Sequence, residues 1–229
     1  MTNIVQPTYI LNLPSTGAKI EYRPYTVKEE KAMLLAIQEG SLDNIINSIK
    51  NLVKVCTFNT LDLSSTPYYD VEFIFLKIRS KSVGETIELM GKCDCSIDIR
   101  TDVSVDIENT RILPTPDDKN TKIVIKNTNF WAQFRHPSID DFISLNNREL
   151  DDMEVLSRCI VAVYDEDSEV TMTPEKKLEF LESMTPIQQQ DLKKFLDSMP
   201  IVELPVEYKC KGCGKDHSLV LSGFENFFV

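Results

Sequence analysis

The sequence predicts an α+β protein, with two helical blocks packed beside a small β layer built from hairpins that carry cysteines. Three observations lead there. Apolar residues recur at helical spacing through 26–84 and again through much of 136–200, the period of amphipathic helices. Strict alternation replaces that period over 85–107 and 201–221, as in half-buried strands. Each alternating stretch is interrupted by a cysteine pair, Cys93 with Cys95 and Cys210 with Cys213. The chain therefore divides into an N-terminal hairpin (1–25), a three-helix block (26–84) and a hairpin region with the first cysteine pair (85–135). A second helical block (136–200) and a C-terminal hairpin with the second pair (201–229) complete it, the last packing with 85–135.

Taken in order, residues 8–13 and 18–23 flank Pro14-Ser15-Thr16-Gly17, apolar stretches around a turn, which predicts a hairpin. Arg23-Pro24 ends it, because the residue before proline is pushed out of the helical region. Thr26 and Glu29 have capping-box spacing, each satisfying a free amide at a helix start. The helix they open runs over 27–39 to Gly40. The next helix, capped at Ser41, carries Leu42, Ile45, Ile46, Ile49, Leu52, Val53 and Cys56 on one stripe. A third begins at Pro67, a residue favoured in the first turn, and stops before Gly84. Three helices on short loops suggest an antiparallel cluster.

Ile87 and Leu89 lead into the first cysteine pair, and Ile97, Ile99, Val103, Val105 and Ile107 alternate on the way back. Residues 108–120, with Pro114 and Pro116, read as a loop. Extended stretches 122–125 and 130–136 precede His136-Pro137-Ser138, where helices resume with Ile139, Phe142 and Ile143. Met153, Leu156, Cys159, Ile160 and Val163 then predict one longer helix. Asp165–Glu169 is an acidic turn without the central glycine and closing glutamate of a calcium loop. Thr173-Pro174 opens a further helix. Thr185 and Gln188 form a second capping box for a helix that ends at Pro200. Residues 201–208 then run extended into Cys210-x-x-Cys213-Gly214, and Leu219, Val220 and Leu221 lie on the far side of that turn. No repeat of constant period is visible; the alternation of helices and cysteine hairpin occurs twice.

The cysteine turns carry the chemistry. Zinc takes four tetrahedral Cys or His ligands, and Cys-x-x-Cys on a tight turn offers two thiolates to one ion. Gly212 and Gly214 suit such a turn because glycine reaches positive φ freely. Cys93 and Cys95 would supply the other two sulfurs, with His217 as reserve ligand, giving a zinc-ribbon-like layer. The alternative is four free thiols on two hairpin tips. Cys56 and Cys159 fall on apolar helical faces and read as core residues. A site closed by four ligands has no position for a reacting water, so it acts as a clamp.

Composition bounds the rest. The 229 residues, 42% of them hydrophobic, can bury a sizeable core. The apolar runs are too short to span a membrane, and the N-terminal stretch lacks the pattern of a signal peptide. Six cysteines without an export signal point to reduced or metal-bound thiols in a cytoplasmic setting. The net charge of −11 opposes non-specific nucleic-acid binding, which relies on basic groups displacing counterions. A zinc-ribbon adaptor for nucleic acid or transcription nevertheless stands as the alternative function. No nucleophile elbow, phosphate loop or dinucleotide fingerprint is present, so neither catalysis nor a small-molecule substrate is expected. Trp131, Phe224, Phe227 and Phe228 either enter the core or meet a partner protein.

The motif Leu13-Pro14-Ser15-x-Gly17 with Arg23-Pro24-Tyr25-x-x-Lys28-Glu29-Glu30-Lys31 resembles the N-terminus of the baseplate hub and hub-assembly protein family of T-even-type contractile-tailed bacteriophages. The ending Cys210-x-x-Cys213-Gly214-x-x-His217-x-x-x-Leu221-x-Gly223-x-x-x-Phe227-Phe228 is similar to the same family. The resemblance spans residues 9–228. A departure is the compressed Cys93-x-Cys95, where the family pattern has a wider spacing. The resemblance implies a baseplate protein, either a hub subunit or an assembly factor absent from the finished particle. Its partners would be hub, spike and wedge proteins, met in the host cytoplasm during assembly or in the virion tail if retained.

Overall fold

The computed structural model describes residues 4–115, 121–143 and 151–224, with side chains throughout except at 96–99. It is an α+β fold. Strands β1 (Tyr9–Asn12) and β2 (Lys19–Tyr22) form the opening hairpin, with Tyr9 opposite Tyr22. Helix α1 (Val27–Glu39) starts at the Thr26/Glu29 capping box and ends at Gly40, whose φ of 72° is the left-handed stop that glycine adopts most readily. Helix α2 (Leu42–Cys56) comes next, and its stripe of Ile46, Ile49, Leu52, Val53 and Cys56 is buried.

Helix α3 (Tyr68–Ser82) is the most buried of the described helices. Its Val71, Ile74, Phe75, Leu76 and Ile78 are all inaccessible to solvent, so it is covered on nearly every side, as a helix without a clean polar face must be. Its two buried acids pin distant chain segments. Asp70 accepts hydrogen bonds from the Ser15 amide and hydroxyl, and Glu72 accepts one from the Gly223 amide at 2.9 Å.

Strands β3 (Thr86–Cys93) and β4 (Ser96–Asp106) make the first cysteine hairpin. Part of the expected 108–120 loop is ordered differently. A 3-10 turn closes at Asn109, and β5 (Arg111–Leu113) pairs with β10 (Ile201–Lys209). β10 in turn pairs with β11 (Asp216–Leu221), which gives the order β11-β10-β5. The two cysteine hairpins therefore lie in separate hydrogen-bonded sheets and do not form one continuous ribbon layer.

A larger departure lies in the second half. The two expected extended stretches are strands β6 (Thr121–Val124) and β7 (Phe130–Phe134), which pair as a hairpin and are succeeded by a capped 3-10 turn at Ile139–Phe142. Helix α4 (Asp152–Cys159) then stops, and Ile160–Asp165 is strand β8, which pairs with β7 and with β9 (Ser168–Val170). Spacing alone assigns Ile160 and Val163 to the helix. The β-branched run Ile160-Val161-Ala162-Val163 suits a strand equally, and β7 otherwise has a free edge on that side. The acidic stretch turns this new hairpin at Glu166, with φ of 54°. Helices α5 (Pro174–Glu182) and α6 (Pro186–Asp197) start at Thr173 and Thr185 as the sequence predicts.

Among the described residues two apolar cores result. The first gathers Leu11, Tyr22, Cys56, Phe75, Ile87, Val105, Val202, Leu204, Val206 and Phe224, so both cysteine hairpins rest on it. The second gathers Ile123, Ala132, Phe134, Leu156, Cys159, Val163, Leu181 and Phe195.

Candidate metal centre

The β10–β11 turn presents its sulfurs through backbone geometry. The Cys210 amide donates to the Lys215 carbonyl at 2.9 Å, and the Gly214 amide donates to the Cys210 carbonyl at 3.0 Å. Gly214 sits at φ of 74°. Gly212 is not in the left-handed region; its contribution is an amide that donates to Cys210 Sγ at 3.3 Å. On the other hairpin, the register shifts between Lys92 and Cys93, so that Cys93 faces Ser96 across a tight turn. That irregularity is how the compressed Cys93-x-Cys95 pair aims both sulfurs at one point.

Across the hairpins, Cys93 Sγ lies 3.7 Å from Cys213 Sγ, and Cys95 Sγ lies 3.6 Å from Cys210 Sγ. All four sulfurs fall within 4.8 Å of one another. Zinc–sulfur bonds of about 2.3 Å arranged tetrahedrally need sulfur–sulfur edges of about 3.8 Å, so the donor set and its spacing fit a tetrahedral ion. A disulfide needs about 2.05 Å, and every cysteine here is a free thiol. Amide hydrogen bonds from Cys213 and Gly212 pull the Cys210 thiol down to about 6, while hydrogen bonding to Cys210, Cys93 and Cys213 pushes Cys95 up to about 12. Four thiolates at this spacing require a cation among them.

The hairpins are also docked without the sulfurs. Tyr208 donates its hydroxyl proton to the Lys92 carbonyl at 2.6 Å. Its ring lies so close over Gly91 that a Cβ there would come within 2.5 Å of the ring. The Lys211 amide donates to Thr101 Oγ1 at 3.1 Å, and the Lys211 ammonium pairs with Asp102. Sequence reasoning missed these groups, although a glycine inside a strand, as at Gly91, is the usual sign of close backbone approach.

The other candidate residues lie away from the sulfurs. His217 stands opposite Tyr208 in the β10–β11 register and stacks on its ring at 4.9 Å, outside the four-sulfur group. Trp131 stacks on Tyr164 at 3.9 Å from one side, Lys122 Nζ lies 3.9 Å from its ring centre, and its indole N–H donates to the Glu166 carbonyl. Lys122 and Tyr164 reach it from the two strands flanking β7, so intramolecular contacts cover both faces of the indole. Of the two readings open for Phe224, it takes the core one: it is buried edge-on against Tyr68 and Phe75. Phe227 and Phe228 lie outside the described residues. Burial pushes the Cys56 and Cys159 thiols up to about 12, as expected of inert core residues.

A family model described as T4 bacteriophage base plate protein matches residues 6–229. The chain belongs to that family. Among base plate proteins, it is similar to the "Baseplate hub assembly protein gp26" of Enterobacteria phage T4. The two are 28% identical over 218 residues, which covers 93% of this chain and 94% of the relative. No solved structure matches. Within this base plate family member, no described helix is long and apolar enough to cross a membrane.

Proposed function

We propose that this protein assembles the baseplate hub through protein–protein contact, as a hub subunit or hub-assembly factor, and performs no chemistry on a substrate. The observation that carries the reading is the near full-length similarity to a hub assembly protein. Its partners are other baseplate proteins of the hub, spike and wedge, met in the host cytoplasm. Co-expression with the central hub and spike proteins, followed by size-exclusion chromatography, tests this: co-migration supports it, and separate elution in every pairing overturns it.

Cys93, Cys95, Cys210 and Cys213 would hold one zinc ion as a closed structural site. Zinc supplies there a fixed tetrahedral crosslink between segments far apart in sequence, worth roughly 10–16 kcal/mol in small zinc-finger peptides. Elemental analysis should find about one zinc per chain, lost together with stability in Cys213→Ser. The nucleic-acid adaptor reading has the net charge of −11 against it. A salt-sensitive shift of DNA or RNA by the intact chain would revive it.

A further inference from the structure

The opening hairpin and the hairpin at β6–β7 are built alike in detail. A constant offset of 112 maps the first register onto the second: Tyr9↔Tyr22 becomes Thr121↔Phe134, and Asn12↔Lys19 becomes Val124↔Trp131. The closing hydrogen bond keeps the same offset, Leu13 amide to Ala18 carbonyl and Ile125 amide to Phe130 carbonyl. So do the inward residues, Leu11, Leu13 and Tyr22 in one copy and Ile123, Ile125 and Phe134 in the other, all buried.

The segment immediately C-terminal to each hairpin is repeated too. Arg23 grips Glu29 through both guanidinium nitrogens at 2.6 and 3.0 Å and donates to the next carbonyl, that of Pro24. Arg135 grips Asp141 at 2.6 and 3.0 Å and donates to the carbonyl of His136. Glu29 accepts from the Thr26 amide and Asp141 from the Ser138 amide, each closing a capping box. The amide of each arginine donates at 3.0 Å to a cysteine carbonyl at a helix end, Arg23 to Cys56 and Arg135 to Cys159. Both thiols are wholly buried, one in each core. Hairpins and capping boxes are common; their union through a bidentate arginine, at one offset and over one buried cysteine, is not expected of unrelated segments.

We infer that the chain contains two copies of one hairpin–latch module, in residues 9–56 and in the described residues 121–143 and 151–159, each placing an arginine–carboxylate latch beside the buried cysteine of one core, although the second copy also sends Ile139 into the first core. Beyond the latch the copies diverge: Arg23 to Cys56 spans a full helical hairpin, whereas Arg135 to Cys159 is shorter and runs into strand β8. The first module is followed by α3 and a cysteine hairpin, the second by β8, β9, α5, α6 and a cysteine hairpin, so the metal centre, which rests on the functional reading above, draws two sulfurs from the chain after each copy.

The buried thiols report on the latches. The full-length, zinc-loaded protein is alkylated under native conditions, and modification of each cysteine is tracked by peptide mass spectrometry. Arg23→Gln should speed labelling of Cys56 about tenfold or more and leave Cys159 near its original rate; Arg135→Gln should do the converse. Glu29→Gln and Asp141→Asn are milder variants expected to show the same selectivity if an arginine substitution prevents folding. Equal acceleration at both thiols, or none at either, overturns the inference. Failure of the metal reading would show instead as rapid labelling of Cys93, Cys95, Cys210 and Cys213 in the unsubstituted protein, leaving the latch comparison intact.

Discussion

At the scale of single residues, steric and electrostatic fit at a few positions carries most of the specificity. Gly91 is the clearest case, because the Tyr208 ring occupies the space that a side chain would need. Gly91→Ala should destabilise the protein by about 1–3 kcal/mol, the usual range for overpacking, and weaken metal binding by separating the hairpins. Thermal unfolding with a zinc competition assay checks this. In a Tyr208→Ala background the same substitution should cost much less, since the obstructing ring is gone. Glu29 gives a pH signature. Its bond to Arg23, opposed by burial and aided by Thr26, holds the carboxyl at about 2 in place of the ordinary 4.5. A carboxylate depressed in the folded state contributes stability that is complete above its unfolded pKa and lost as pH falls towards the folded one. Denaturant titrations should therefore show Glu29→Gln less stable than the parent above about pH 4.5, with the gap closing as the pH approaches 2.

Among the elements, α3 and α1 make opposite demands on their side chains. Ile74 is inaccessible, and Leu34 on α1 is 46% exposed. Ile74→Ala should cost about 2–5 kcal/mol and Leu34→Ala under about 0.5 kcal/mol, compared by urea unfolding. The helices were legible in the sequence because their ends are written in short-range chemistry: Thr26 with Glu29, Gly40, Thr173 with Pro174, and Thr185 with Gln188. Strand β8 was not legible, because Ile160 and Val163 satisfy helical and alternating patterns alike and only pairing with β7 decides between them. The cysteine pairs were legible as candidates from their spacing. The groups that dock the two hairpins, Tyr208 on Gly91 and Lys211 on Thr101, depend on contacts between distant segments that no local pattern encodes. The duplicated module was hidden more deeply. Between 9–29 and 121–141 only Thr16 with Thr128 and Arg23 with Arg135 are identical; Leu11 with Ile123, Leu13 with Ile125, Tyr22 with Phe134, Thr26 with Ser138 and Glu29 with Asp141 keep their class without identity, and others, such as Ile10 with Lys122 or Lys28 with Asp140, do not.

For the whole molecule, the membership of its two cores sets an order of events during synthesis. Among the described residues the second core is built within 123–199, whereas the first draws on Leu11 and Tyr22 but also on Val202, Leu204, Val206 and Phe224. A ribosome extending this chain delivers the described residues of the second core before the N-terminal portion can close. Residues made first must wait, with their apolar faces uncovered, for a strand translated after the second core is finished. Nascent chains halted at successive lengths would show the interior compacting ahead of the beginning.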